Sequence, residues 1–176
     1  VRKYGELLRE RGGEFVLNCR VTGVTRSTDE IVVQATLGEF RARHVITCCG
    51  LQCDRIARLC GSDPGVQIIP FRGEYYELVP EKHHLVKNLI YPVPDPRFPF
   101  LGVHFTRLVK GGVEAGPNAV LAFEREGYTT TSIKLRDVGE MLAFPGFWKM
   151  AGKYWRAGMD EFHRSLSKPA FVKALQ

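Results

Sequence analysis

The sequence predicts an α/β chain of the α+β kind: a partial nucleotide-binding domain over residues 1–66, then an antiparallel-sheet domain over residues 67–176 with helices from about residue 132. Three observations predict it. The apolar run His44-Val-Ile-Thr-Cys-Cys-Gly50 leads through a glycine directly into the helical pattern of residues 51–61. Short extended segments punctuated by Gly, Pro and polar turns fill the middle of the chain, and helical periodicity fills its end.

The elements follow in order. Residues 1–11 read as a helix with Tyr4, Leu7 and Leu8 on one face, closed by Gly12-Gly13, where a positive φ suits a helix C-cap. Residues 14–19 and 20–25 carry β-branched residues, Ser27-Thr-Asp-Glu30 is a polar turn, and residues 31–37 alternate apolar and polar. Residues 40–43 extend this ribbon, which then feeds residues 44–49 as a buried, parallel strand. A glycine where such a strand ends lets the backbone approach a phosphate or ribose, and the free amides of the next helix favour an anion.

From Gln67 the texture changes. Residues 68–79 read as strand, turn or bulge at Gly73, strand; residues 88–93, 101–106 and 112–116 add short extended segments. Proline cannot donate to a ladder, so Pro92-Val-Pro-Asp-Pro-Arg-Phe-Pro-Phe100 is a loop or a sheet edge. Helices are expected over residues 135–144, 147–156 and 159–165, with another beginning at Pro169.

Composition bounds the function. A compact domain of 176 residues buries roughly 70% of its unfolded surface. No segment approaches the ~20 apolar residues of a membrane span. A net charge of +6 suits anionic ligands, but the basic residues are scattered and show no stripe interleaved with aromatics, which argues against nucleic acid. The cysteines Cys19, Cys48, Cys49, Cys53 and Cys60 form no CxxC pair, so no metal site is expected and buried, reduced thiols of a reducing compartment, cytoplasm or mitochondrion, are.

Four runs carry a resemblance: Ile69-Pro-Phe-Arg-Gly-Glu-Tyr75, Ile90-Tyr-Pro-Val-Pro-Asp95, Arg97-Phe-Pro-Phe-Leu-Gly-Val-His-Phe-Thr106 and Gly116-Pro-Asn-Ala-Val-Leu-Ala-Phe-Glu-Arg-Glu-Gly-Tyr128. With the ribbon and the Cys-Cys-Gly junction before them, the chain resembles the FAD-dependent oxidoreductases of the D-amino-acid-oxidase-like superfamily, within it the L-2-hydroxyglutarate dehydrogenase family. The resemblance implies FAD as cofactor and oxidation of (S)-2-hydroxyglutarate to 2-oxoglutarate by hydride transfer. It also implies a quinone or other electron acceptor. That family places a GxGxxG pyrophosphate loop near its N-terminus and a second flavin segment near its C-terminus. Neither pattern occurs here, so the sequence reads as an internal piece of such a protein, inactive alone.

By the same resemblance, backbone groups at Val21 meet the adenine, and Cys49 and Gly50 lie against the ADP half of the cofactor. Val21 reads equally as an ordinary strand residue. Arg72 and Gly73 should sit near the flavin ring, where a guanidinium can bind a carboxylate bidentately; the alternative pairs Arg72 with Glu74 or Glu77. Arg125 is a second candidate clamp or a surface residue. Hydride transfer from an alcohol needs a base for the hydroxyl proton, and imidazole titrates in the right range. Of the five histidines, His104 lies on an expected strand whose alternation groups Gly102, His104 and Thr106 on one face. Catalytic base and hydrogen-bonded scaffold both remain open for it. Tyr91 and Asn118 are supporting polar candidates for the dicarboxylate.

The terminal helices hold Trp148, Trp155 and Phe162 beside Lys149, Lys153 and Arg156. A core-facing stripe is the expected reading, and peripheral membrane contact the other. Two further functions compete with the flavoenzyme: a binding module without redox chemistry, and a related amino-acid or amine oxidase.

Overall fold

The structure, a computed structural model, describes residues 1–94, 96 and 102–175. The chain divides into two compact units, Val1–Gly65 and Val66–Gln176.

The first unit opens with helix α1 (Arg2–Glu10), and Gly12 follows with φ +79°. Strands β1 (Val21–Arg26), β2 (Ile31–Ala35) and β3 (Gly38–Ala42) form an antiparallel meander in that order. The β1–β2 turn is closed by Ser27, whose amide and hydroxyl both donate to the Glu30 carbonyl. Residues 14–19, expected as a strand, pair with nothing in these sheets. A single-turn 3₁₀ helix (Gly50–Gln52) leads into α2 (Cys53–Leu59).

The expected parallel strand over residues 44–49 is not formed: the segment has no ladder partner among the described residues, and Ile46 is 88% exposed. Apolar composition favours a buried strand, but a strand exists only where a neighbour takes its amides and carbonyls. The same shortage shows in the packing. Among the described residues of this unit Asp54 alone is buried, with Arg58 beside it at 3.6 Å. Cys48, Cys53 and Cys60 are exposed and all five cysteines are free thiols, so the expectation of buried thiols is not met.

The second unit is built on a three-stranded antiparallel sheet, order β4 (Phe71–Glu77), β6 (Val113–Leu121), β5 (His104–Arg107). Ile90 adds a bridge to Phe105 at the outer edge, with backbone hydrogen bonds in both directions. Strand β4 runs unbroken through Gly73. The irregularity lies opposite it: Glu74 faces Asn118 and Tyr76 faces Ala115, so β6 spends three steps where β4 spends two. Gly116 and Pro117 fill that bulge. Gly116 has φ +152° and a Cβ there would stand 2.8 Å from the Glu74 carbonyl, so only glycine fits. Proline is tolerated in a central strand because it sits at the bulge. Residues 117–121, not expected as strand, thereby continue β6. Of the run that includes Arg97 and the strand expected from residue 101, positions 97–101 lie outside the described residues.

Helices α3 (Leu135–Ala143), α4 (Pro145–Leu166) and α5 (Lys168–Lys173) complete the unit. The two helices expected over 147–165 are one helix, interrupted at Tyr154 by non-helical angles (φ −115°, ψ 15°). The core consists of Val113, Ala115, Val120, Ala122, Met141, Phe147 and Phe171 with Val86. Helix α5 is capped by Ser167, whose side chain accepts from the Ala170 amide, and it sets Phe171 4.6 Å from the Tyr76 ring.

Candidate active site on the open face of the sheet

Alternation along the strands divides the sheet into two faces. On β4, Arg72, Glu74 and Tyr76 are half-buried while Gly73, Tyr75 and Glu77 are exposed. On β6 the buried residues are Val113 and Ala115 before the bulge, Gly116 within it, and Asn118 and Val120 after it. Residues paired across a ladder share a face. The pairs Glu74 with Asn118, Tyr76 with Ala115 and Phe105 with Ala115 therefore define the face covered by α4 and α5. The pairs His104 with Gly116, Thr106 with Glu114 and Glu77 with Glu114 define the open face.

His104 stands on the open face. Its Nδ1 lies 3.0 Å from the Gly102 carbonyl, and a carbonyl can only accept, so Nδ1 holds the proton. In the neutral ring Nε2 is then the lone-pair nitrogen. The Tyr91 ring stacks on the imidazole, centroids 4.1 Å apart and planes 22° from parallel. The Tyr91 hydroxyl lies 3.1 Å from Thr106 Oγ1. His104, Tyr91 and Thr106 thus form one polar cluster. The alternation in the sequence had already grouped two of them, while the Gly102 carbonyl left no sequence signal.

The other candidates lie elsewhere. Arg72 points to the helix-covered face, donating to Glu74 Oε1 at 2.6 Å and to the Thr129 carbonyl at 2.8 Å. Burial works to raise the Glu74 pKa. The hydrogen bonds from Arg72 and Ser165, the Arg72 charge and the Asn118 amide outweigh it and hold the carboxyl below its ordinary value. Asn118 is fully buried; its amide donates to the Glu161 carbonyl at 2.8 Å and its oxygen accepts from Arg164 Nε at 3.1 Å. Glu161 also accepts the Ala119 amide at 2.9 Å, where β6 has run past the end of β5, and holds Arg164 through its other oxygen. Arg125 is 5% exposed: its amide donates to Asp137 at 2.9 Å and its guanidinium lies 3.7 Å from Glu140.

Three expectations change in consequence. Arg72 and His104 occupy opposite faces of one sheet, Asn118 is sealed beneath α4, and Arg125 is tied to α3, so these three do not converge with His104 on a small molecule. Glu74, which holds Arg72, is the alternative partner the sequence offered, whereas Glu161 and Arg164 at Asn118 and Asp137 and Glu140 at Arg125 were not foreseen. Gly73 lies on the open face, where a Cβ would meet the Pro117 Cβ at 3.1 Å and Tyr75 at 3.3 Å, so crowding within the sheet already favours a glycine.

In the first unit Val21 pairs with Ala35 at the start of β1, next to a register shift before Gly23. Cys49 precedes Gly50, whose φ of +48° turns the extended segment into the 3₁₀ turn; a Cβ there would meet nothing within 4 Å. Open backbone at this point fits one edge of a nucleotide cofactor. The fit is partial, because the chain has no glycine-rich loop for a pyrophosphate.

Comparison with known proteins decides the family. Residues 1–158 match the FAD dependent oxidoreductase family profile. The chain belongs to the FAD-dependent oxidoreductase family. It is 50% identical over 175 residues to the L-2-hydroxyglutarate dehydrogenase of Indibacter alkaliphilus, covering 99% of this chain and 44% of that protein. It is 43% identical over 185 residues to the mitochondrial L-2-hydroxyglutarate dehydrogenase of Homo sapiens, with 98% and 40% covered. The Escherichia coli K12 enzyme of the same name is 41% identical over 172 residues, with 97% and 41% covered. The chain spans less than half the length of these curated relatives. No described helix is long and apolar enough to cross a membrane.

Proposed function

We propose that this chain supplies the substrate sheet of an FAD-dependent 2-hydroxy-acid dehydrogenase that oxidises (S)-2-hydroxyglutarate to 2-oxoglutarate. The names of the relatives support the substrate, and one observation in the structure supports the chemistry: a histidine on an open sheet face with its lone-pair nitrogen uncommitted among the described residues. FAD, when bound, supplies the hydride acceptor. Of this chain's own groups, Cys49 and Gly50 would meet the cofactor through backbone, and Val21 through its strand. His104 Nε2 would take the substrate hydroxyl proton, a role for which a neutral imidazole with Nδ1 already bonded is prepared. Arg72, Asn118 and Arg125 act as scaffold in this reading, and the Tyr91 cluster orients the base.

Its partners are a small dicarboxylate and an electron acceptor such as a quinone, in a reducing compartment. Trp148, Trp155 and Met159 on α4 are each more than half exposed, contrary to the expected core-facing stripe, while Phe147 alone of the α4 aromatics is buried. Lys149, Lys153 and Arg156 are exposed beside them. Aromatic residues flanked by cations favour an anionic lipid surface, and we assign peripheral membrane contact to this face.

Anaerobic reduction of the flavin in the FAD-loaded dehydrogenase that contains this chain tests the substrate. Reduction by (S)-2-hydroxyglutarate and not by amino acids is expected; reduction by amino acids, or by neither, would overturn the assignment.

A further inference from the structure

We propose that Tyr91 is a positioning residue for His104, anchored by Thr106, and does not use its hydroxyl to bind substrate. The proposal rests on the reading of His104 as the base. Phe105 exchanges both backbone hydrogen bonds with Ile90, at 3.0 and 3.1 Å, which fixes the edge segment against β5. His104 and Thr106 flank Phe105 on the same side of the strand. Tyr91, one residue beyond Ile90, spans both: its ring covers the imidazole and its hydroxyl reaches the Thr106 hydroxyl.

The consequence concerns the imidazole plane. Rotation about the second side-chain torsion of histidine is broad and weakly restrained, so a lone hydrogen bond from Nδ1 to the Gly102 carbonyl leaves the ring free to turn away. A parallel ring at 4.1 Å removes that freedom, because turning the imidazole would drive its edge into the tyrosine. Holding the plane keeps Nδ1 on the carbonyl and the lone pair on Nε2. The Thr106 hydroxyl matters in turn because Tyr91 is half exposed, and without an anchor its ring would sample other rotamers. The carboxylates that share this face in register are Glu114, opposite Thr106, and Glu77, opposite Glu114. The residue directly opposite His104 is Gly116, which has no side chain to steady the ring. Tyr91 fills that role.

The tautomer is directly readable by long-range ¹H–¹⁵N NMR of the imidazole in this chain at a pH where His104 is neutral. The wild type is expected to show the Nδ1–H form. Tyr91→Phe and Thr106→Val should each reduce the ratio of Nδ1–H to Nε2–H by about fivefold, the size of one hydrogen bond's net contribution. Thr106→Ser should restore it, and the double variant should be no worse than either single one, since both remove the same contact. Unchanged backbone amide spectra away from β5 separate this from unfolding. An Nε2–H wild type, or a tautomer ratio indifferent to Thr106→Val, would overturn the proposal. In the FAD-loaded protein Tyr91→Phe should lower kcat with KM unchanged; a rise in KM alone would make Tyr91 a substrate ligand and also overturn it. Failure of the base assignment shows separately, as flavin reduction unaffected by His104→Gln while the tautomer result stands.

Discussion

The Arg72 guanidinium donates to Glu74 across 2.6 Å on the covered face of the same sheet whose open face bears His104. The pair is tucked under the helices, and its contacts tie β4 to the Thr129 loop. Because the native Glu74 pKa is depressed, its contribution to stability is present above the ordinary glutamate range, about 4.3, and is lost as pH falls through the lower native value. Urea denaturation across that window should show the acid loss in the wild type and a flatter dependence in Glu74→Gln. Arg72→Lys should cost about 2 kcal/mol by losing one of two hydrogen bonds and leave the substrate dependence of the FAD-loaded protein unchanged.

Asn118→Ala removes the amide that joins β6 to α4. The Glu161 carbonyl and the Arg164 guanidinium both lose a buried partner, which should destabilise the unit by about 2 kcal/mol. Hydrogen exchange should locate the loosening in the second half of α4 and leave α3 protected.

Gly116→Ala places a methyl 2.8 Å from the Glu74 carbonyl at a φ that L-residues rarely adopt. A loss of about 2–3 kcal/mol is expected from the two effects together. Thermal denaturation compared with Gly139→Ala, where nothing lies within 4 Å, separates the bulge from helix propensity.

Sedimentation with vesicles tests the exposed face of α4. Binding to vesicles containing phosphatidylserine, weakened about tenfold by Trp155→Ala and reduced by salt, is the expected result. Equal recovery in the supernatant with and without vesicles would contradict it.

Local pattern made the elements legible and left their partnerships hidden. The meander of β1 to β3 and the placement of His104 and Thr106 on one face follow from period-two alternation, and the α5 start follows from Pro169. Residues 44–49 show the limit, because apolar character alone cannot supply a neighbouring strand. Pro117 hid the continuation of β6, and the bulge it occupies shifts the alternation by one residue. Without the register, the faces of Arg72 and Asn118 could not be related to that of His104. The contacts of Asn118 with Glu161 and Arg164 span more than forty residues of sequence, and no local signal announces them.

The measurement closest to the centre of this account is rapid-mixing reduction of the flavin by (S)-2-hydroxyglutarate in the FAD-loaded dehydrogenase that contains this chain, wild type against His104→Gln. Loss of the base should slow reduction by about 100-fold or more while FAD stays bound. Reduction at the wild-type rate, with FAD bound in both, would contradict the assignment of His104.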